Sequence, residues 1–367
     1  MVIAWLTFLA VMGFAAVTRL TNRFGEQRKA LARHLYEQGV GEQQAGKPEM
    51  AIEHFRAALS YSHDNFQYQL SLARALRDTG RTGEAEAYLV SLWEGSPQDG
   101  AVNLALGRLY AREKLLDKTI QFYHNAIYGV WPSDPDQNRL NAWFELVDVL
   151  LRLNALPQAQ AELITLSASL PHRAELELRV ADLFSRAQDF PNALLGYQRV
   201  LQSDRGNPQA LAGAGEAAFK LARYRTASHY LSAAVAANPQ DAQSARTLQI
   251  CNAVLNEDPF GRGISTSERI RRIRAIFEEA GQRLDACPSL PPQSPTGAIQ
   301  SGVVPLESRW KDMKTRLAHL GQRGESGLAD EVMDLVLQIE EQTANCATTP
   351  QDQALLLLAQ NRAGVEQ

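Results

Sequence analysis

Small residues recur along this chain at intervals that match pairs of short helices. The clearest copy is residues 208–241, where one apolar helical pattern stops and a second begins near Tyr224. Gly215 in the first helix leaves room for a close neighbour, and Leu231 in the second is the large side chain predicted to fill it. Pro239 ends the unit because proline cannot continue a helix. Two helices of about thirteen residues are marginal alone, so they need neighbouring copies.

The same three positions recur in register in six units. Each series steps by 34, 34, 40, 34 and 34 residues. The small residues of the first helices are Gly39, Ala73, Gly107, Val147, Ala181 and Gly215. Those early in the second helices are Ala51, Ala85, Thr119, Ala159, Ala193 and Ala227, and the large residues four positions later are Phe55, Leu89, Tyr123, Leu163, Tyr197 and Leu231. A fixed period of two-helix units predicts an α-solenoid.

This pattern resembles the tetratricopeptide repeat (TPR), which places a small residue in helix A, another early in helix B, a large residue four positions later and a proline at the repeat end. Pro97, Pro171 and Pro239 match that final proline. The resemblance implies an all-α fold, a right-handed TPR α-solenoid of about six helix-turn-helix repeats. The predicted repeats are 32–65, 66–99, 100–133, 140–173, 174–207 and 208–241.

One interruption of the period, six residues long, lies within residues 129–139. An insertion at this place predicts a longer loop between the third and fourth repeats, with both helix pairs intact. Trp131 in this loop either packs into the seam between repeats or projects as a contact residue, since large aromatic side chains anchor interfaces.

Residues 1–21 are predicted to form an N-terminal transmembrane anchor. The run from Val2 to Val17 is apolar and uncharged, just short of the roughly 20 residues that span a bilayer. No basic residue precedes it and no good cleavage site ends it, so an uncleaved helix is favoured over a cleaved signal peptide. Basic residues follow it, which predicts a single-pass inner-membrane protein with its body in the cytoplasm. A periplasmic body is the alternative.

Three further regions follow the repeats. Residues 242–287 are predicted to be capping helices over the last apolar face of the array, and five prolines make residues 288–305 a linker. Residues 306–367 hold helical patterns that form either a small module or a hairpin docked back on the repeats. The three cysteines form no CxxC pair. They are either buried thiols, or Cys287 and Cys346 form a disulfide in an oxidising compartment.

The sequence offers no set of residues for catalysis, so we predict that the protein is not an enzyme and needs no cofactor. It has no P-loop, GxGxxG, HExxH or GxSxG motif, and its seven histidines lack metal-ligand spacing. His54, His124 and His229 are predicted to be surface or packing residues of second helices. A net charge of −4 gives no attraction to nucleic acid. No small-molecule substrate is indicated.

In TPR proteins a concave groove lined by helix A binds peptides, so the resemblance implies such a groove here. The corresponding positions of the second and third repeats carry Arg74, Arg77, Arg108 and Arg112, and those of later repeats carry Asp148, Arg152, Asp182, Arg186, Glu216 and Lys220. The groove is therefore predicted to be positive in its N-terminal half and mixed in its C-terminal half. An acidic partner segment fits the first half because arginine binds carboxylates bidentately; the alternative is that these charges are only solvated.

We therefore predict a non-enzymatic, membrane-tethered protein–protein interaction scaffold that binds partner segments in its concave groove. Tyr36 and Val40 occupy positions where carboxylate-clamp co-chaperones carry lysine and asparagine, which argues against that subgroup. The alternative function is that of an exported or periplasmic TPR assembly factor for envelope or secretion machinery.

Overall fold

The described part of the chain is helical almost throughout. The computed structural model describes residues 2–171, 173–261, 263–287, 306–318, 326–343 and 349–363. The helices are α1 (Val2–Gln44), α2 (Pro48–Tyr61), α3 (Phe66–Asp78), α4 (Thr82–Gly95), α5 (Gly100–Arg112), α6 (Leu116–Ile127), α7 (Pro135–Arg152), α8 (Leu156–Ser169), α9 (Ala174–Arg186), α10 (Phe190–Ser203), α11 (Pro208–Lys220), α12 (Tyr224–Ala237), α13 (Ala242–Glu257), α14 (Thr266–Ala286), α15 (Leu306–Ala318), α16 (Ser326–Gln342) and α17 (Pro350–Ala363). They fall into two units, Met1–Glu162 and Leu163–Gln367.

In the first unit, consecutive helices pack as pairs along the small residues. α1 packs on α2, α3 on α4 and α5 on α6, and each pair contacts the next through its second helix. A Cβ atom on Gly39 would lie 2.7 Å from the Phe55 ring, and one on Gly107 would lie 2.7 Å from the Tyr123 ring. Because only glycine fits these contacts, the helices approach closely, and the predicted pairing of small with large residues is confirmed.

Side chains at the helix starts satisfy backbone N–H groups that would otherwise lack acceptors. Asn65 accepts from the N–H of Tyr68 at 3.1 Å, and Asp99 accepts from that of Val102 at 2.9 Å. Asp189, Asn207, Asp241 and Ser265 form the same contact at their helices. Such N-caps each stabilise a helix by about 1 kcal/mol, so these residues determine where the helices begin.

The turns between paired helices share a left-handed residue. Its positions keep the 34-34-40-34-34 spacing, and they are Gly46, Gly80, Lys114, Asn154, Gln188 and Ala222. Their φ angles lie between 55° and 82°. This conformation ends the first helix of each pair and turns the chain into the second. Glycine adopts it at no steric cost, whereas the other four residues adopt it at some cost in free energy.

The six-residue insertion lengthens the loop between the third and fourth repeats only in part, because residues 128–134 separate α6 from α7 whereas residues 62–65 separate α2 from α3 and residues 96–99 separate α4 from α5. α7 begins at Pro135 and has 18 residues, whereas α3 and α5 have 13 each. Most of the insertion is therefore helical. Trp131, in the connection before α7, donates its indole N–H to the carbonyl of Ala126 at 2.9 Å, and its ring fills the space beside Gly100. The side chain packs into the seam and does not project as a contact residue.

α1 joins the apolar N-terminal run to the first repeat in one unbroken helix of 43 residues. Its C-terminal part packs against the unit through fully buried Ala32 and through Gly39. Nearer its start, Phe14 and Val17 are 76% and 61% exposed. Among the residues that the structure describes, no helix has the length and apolarity expected of a membrane span.

The second unit continues the same packing and adds the C-terminal helices. α9 packs on α10, α11 on α12, and α12 on α13. α14, α15 and α16 share a core with Leu355 of α17, and α17 also packs on α13, so the C-terminal helices form a small cluster that docks on the helix following the last repeat. Ile250 and Val254 of α13 form a small core with Ala354 of α17. The predicted linker, residues 288–305, lies outside the described residues.

The cysteines differ in state. Cys251 is a buried free thiol, and burial raises its pKa to about 12. Cys287 is disulfide-bonded. Cys346 lies outside the described residues, so the pairing of Cys287 with Cys346 stays a prediction.

A buried ion pair joins two helices of the C-terminal segment. Arg283 of α14 is 7% exposed and donates to Glu340 of α16, which is fully buried. It also donates to the carbonyl of Thr343 at 2.9 Å, and a carboxylate oxygen of Asp352 lies 3.9 Å away. Burial raises the pKa of Glu340 to about 7; Arg283 opposes this rise, and Asp352 and Glu279 add to it.

Candidate functional site

Arginines from three first helices of the first unit meet in one pocket of about 310 Å³. Arg77 comes from α3, Arg108 and Arg112 come from α5, and Arg152 comes from α7. Arg112 and Arg152 stand 40 residues apart, which is the spacing between the third and fourth repeats, so the shared register places them on the same face. The structure thus brings together four of the sequence-predicted groove residues.

Glu145 of α7 is the carboxylate that lines this pocket. It accepts from Nε and Nη2 of Arg108, both at 2.6 Å, and its Oε1 accepts from the Tyr123 hydroxyl at 2.8 Å. Burial opposes its ionisation, but the hydrogen bonds from Arg108 and Tyr123 outweigh burial and lower the pKa of Glu145. The carboxylate therefore stays charged and ties α5, α6 and α7 together.

Arg74 lies next to the pocket but does not line it. Its Nε atom is buried without a hydrogen-bond acceptor, as is Nη1 of Arg77. Burial lowers the pKa of Arg74, and the charges of Arg108 and Arg77 lower it further. This region therefore holds positive charge that the described part of the protein does not fully neutralise.

The matched family fits this architecture. Residues 42–109 match the tetratricopeptide repeat family. The matched segment includes α2, α3 and α4 and carries two of the pocket arginines, Arg77 and Arg108, together with Arg74. The TPR resemblance expected from the small-residue spacing is confirmed for this segment, and the remaining helix pairs keep its period.

Solved structures of TPR and pilus proteins resemble the chain over a longer stretch. The Pseudomonas aeruginosa pilF protein is 17% identical, with 60% of this chain and 97% of that one covered at a TM-score of 0.40. PilW, a type IV pilus biogenesis factor, is 15% identical, with 60% and 97% covered at 0.39. The C-terminal part of a TPR protein from Cytophaga hutchinsonii is 11% identical, with 66% and 94% covered at 0.45. No curated protein matches the chain.

The later TPR positions do not form a comparable cluster around the pocket. Asp148 lies on α7 and has interactions of its own. Asp182 of α9 accepts from the Tyr197 hydroxyl and from the Gln209 amide, both at 2.7 Å. These hydrogen bonds join neighbouring helices of the second unit, so the Asp182 carboxylate stabilises the repeats and is not available to a ligand.

The three remaining predicted positions also lie in the second unit. Arg186 ends α9 and has interactions of its own. Lys220 and Glu216 of α11 form an ion pair at 3.7 Å, and Glu216 also accepts from Thr247 at 3.4 Å. The two charges are therefore partly neutralised by each other.

Sequence reasoning missed Glu145 and the role of the Tyr123 hydroxyl. Tyr123 was expected only as the large residue of a second helix, and Glu145 lies outside the positions compared between repeats. The sequence did carry a signal, because two of the six large residues, Tyr123 and Tyr197, are tyrosines with a hydroxyl to satisfy. The Tyr123 hydroxyl donates to Glu145 and the Tyr197 hydroxyl donates to Asp182, and each carboxylate lies on the first helix of a repeat. A tyrosine at this position predicts such a partner.

Two histidines of the second helices form hydrogen bonds with glutamates of neighbouring helices. His54 is hydrogen-bonded to Glu42 at 2.7 Å, and His124 is hydrogen-bonded to Glu162 at 2.7 Å. Glu162 also accepts from the indole N–H of Trp143 at 3.0 Å. Within the described ranges, no three His, Cys, Asp or Glu side chains converge as metal ligands.

Proposed function

We propose that this protein is a non-enzymatic scaffold that binds partner proteins through the arginine pocket of its first unit. TPR proteins generally mediate protein–protein interactions. The observation that carries the proposal is the convergence of four arginines from α3, α5 and α7 around one half-buried carboxylate. Because arginine pairs with carboxylates bidentately, the partner is a segment with acidic residues.

Charge reversal in the pocket tests this proposal. The variant carries Arg77→Glu, Arg112→Glu and Arg152→Glu and keeps Arg108, whose loss would leave Glu145 without its main partner. We expect capture of partners by the full chain to fall by about tenfold or more, since hydrogen bonds to charged groups contribute about 1.5–3 kcal/mol each. Quantitative mass spectrometry of pull-downs measures the loss.

A matched control separates the pocket from general charge. The control carries Arg199→Glu, Arg223→Glu and Arg225→Glu, three exposed arginines that do not line the pocket. It changes the net charge by the same amount and should capture partners like the unaltered chain. Equal capture by the pocket variant and the control would contradict a role for the pocket.

We also propose that the start of α1 attaches the protein to the inner membrane. Trp5, Met12, Phe14 and Val17 are exposed on this part of the helix. The hydroxyl of Thr18 donates to the carbonyl of Phe14 at 2.8 Å, so it is satisfied within the helix. Basic side chains follow, which supports a cytoplasmic body.

Removal of residues 1–21 tests the attachment. We expect the full chain to sediment with membranes after carbonate extraction and the shortened chain to stay in the supernatant, because the apolar side chains that favour the bilayer are gone. Immunoblots of the two fractions measure the change. A shortened chain that still sediments would show that this segment is not the anchor.

One observation favours the second candidate function, an exported or periplasmic assembly factor. Cys287 is disulfide-bonded, and disulfides persist in oxidising compartments. Protease treatment of spheroplasts separates the two locations, because a body outside the inner membrane is digested without lysis.

A further inference from the structure

The positive groups of the pocket divide into paired and unpaired ones. Arg108 is neutralised by Glu145, and Arg77 pairs with its exposed neighbour Asp78 at 2.7 Å. Arg112 donates Nη1 to the carbonyl of Arg77 at 2.7 Å and forms no ion pair within the described residues. Arg152 forms neither a hydrogen bond nor an ion pair in the described part of the chain, and it is exposed. The charges that remain for a ligand are therefore those of Arg112 and Arg152.

Apolar side chains lie directly beside these two charges. Ala111 precedes Arg112 on α5, Leu153 follows Arg152, and Val149 lies one turn before Leu153; all three line the pocket. Val149 is buried, but Ala111 and Leu153 are partly exposed, so a ligand with charge alone would leave these two side chains in contact with water. The lining therefore favours a ligand that presents a carboxylate and an aliphatic group together.

Glu145 shows how a carboxylate is held in this pocket and also limits where a second one fits. Its carboxylate oxygens accept hydrogen bonds from Arg108 and Tyr123 at 2.6 to 2.8 Å. Displacing it would break its two hydrogen bonds from Arg108 and the one from Tyr123, so an exchange of carboxylates brings no gain. An incoming carboxylate therefore binds beside Glu145, not in its place.

We propose that the pocket between α3, α5 and α7 binds an acidic residue followed by an aliphatic residue in an extended partner segment. The carboxylate pairs with Arg112 and Arg152, and the aliphatic side chain packs on Ala111, Val149 and Leu153. At about 310 Å³ the pocket is at the lower end of small-ligand sites, which hold about 300–1,000 Å³, so it suits two side chains and not a folded surface. This inference rests on the proposed function and specifies its ligand.

The test is a titration of the full chain with four fluorescent hexapeptides, three of them capped at both ends. One carries Glu-Leu at its centre, one carries Gln-Leu, one carries Glu-Ser, and one ends in a free leucine carboxylate with no acidic side chain. We expect the Glu-Leu peptide to bind about tenfold or more tightly than the Gln-Leu peptide, and several-fold more tightly than the Glu-Ser peptide. Tightest binding of the free-carboxylate peptide would assign the carboxylate to a chain terminus and overturn the internal-residue form of the proposal.

Protein variants locate the binding. Arg152→Gln should reduce Glu-Leu affinity by about tenfold, and Arg199→Gln, which removes the same charge from an exposed position outside the pocket, should leave it unchanged. Arg152 is exposed and forms neither a hydrogen bond nor an ion pair within the described residues, so its loss should not affect folding, which circular dichroism checks. Equal affinity for Glu-Leu and Glu-Ser would overturn the aliphatic half of the proposal. If no peptide binds while the pull-down still depends on the pocket arginines, this inference fails and the proposed function stands.

Discussion

Replacing Arg283 with methionine is expected to destabilise α14 and α16 by about 3–5 kcal/mol at pH 8. The guanidinium of Arg283 holds the fully buried Glu340 and the carbonyl of Thr343. Without it, the Glu340 carboxyl has no cation beside it in an apolar core formed by residues such as Ile276 and Val336. Hydrogen exchange of the α14 and α16 amides measures the free energy of local unfolding.

Two comparisons test the cause of this loss. Arg283→Met combined with Glu340→Leu should recover most of the stability, because both buried charges are then removed together. The effect should also shrink at pH 5. The pKa of Glu340 is raised to about 7 from its ordinary value of 4.5, so its contribution to stability is fully present below that ordinary value and is lost as the pH rises through 7. A loss equal at both pH values would refute this electrostatic explanation.

Gly107→Ala is expected to destabilise the first unit by about 1–3 kcal/mol and to weaken peptide binding. The new methyl group would lie 2.7 Å from Cδ2 of the Tyr123 ring, which is fully buried and cannot give way without losing its hydrogen bond to Glu145. Glu145 in turn holds Arg108. Hydrogen exchange of α5 and α6, together with the hexapeptide titration, measures both effects.

Gly41→Ala is the matched control. Gly41 lies in α1 with no atom near the position of a new Cβ. Both substitutions give the same gain in helix propensity, about 0.5–1 kcal/mol, so the control should be slightly stabilising. The difference between the two variants isolates the contact with Tyr123. If Gly107→Ala were as stable as Gly41→Ala, close packing at this seam would not be what determines the pairing of α5 with α6.

The repeat seams could be predicted from the sequence because they depend on local register. Gly39, Phe55 and their counterparts recur at one spacing, and a small residue opposite a large one is needed wherever two helices approach closely. The conformation of the insertion could be predicted only in part for a related reason. Spacing shows that residues were added but not their conformation, and an asparagine-rich and aspartate-rich stretch continued as helix from Pro135.

The left-handed turn residues show a second limit of spacing arguments. Gly46 and Gly80 are recognisable because glycine favours this conformation, but Lys114 and Ala222 at equivalent positions carry no such signal. Their conformation is imposed by the helices on either side. A local sequence pattern does not reveal a conformation that tertiary packing imposes.

The candidate site could be predicted in part. Register predicts that Arg108, Arg112 and Arg152 lie on one face, and all three line the same pocket. Register alone could not show which charges remain available, because that depends on pairs formed between repeats. Arg108 is neutralised by Glu145, 37 residues later, and Asp182 is held by Tyr197.

The continuity of α1 has a consequence for how far the scaffold can reach. The helix runs without a break from Val17 to Ala32, a rise of roughly 22 Å. If lipids surround the start of α1, residues 17–32 are a rigid helical spacer and not a flexible linker. The first repeat then lies at a fixed distance from the lipid headgroups. The partner segment would then be bound only at that distance from the membrane surface.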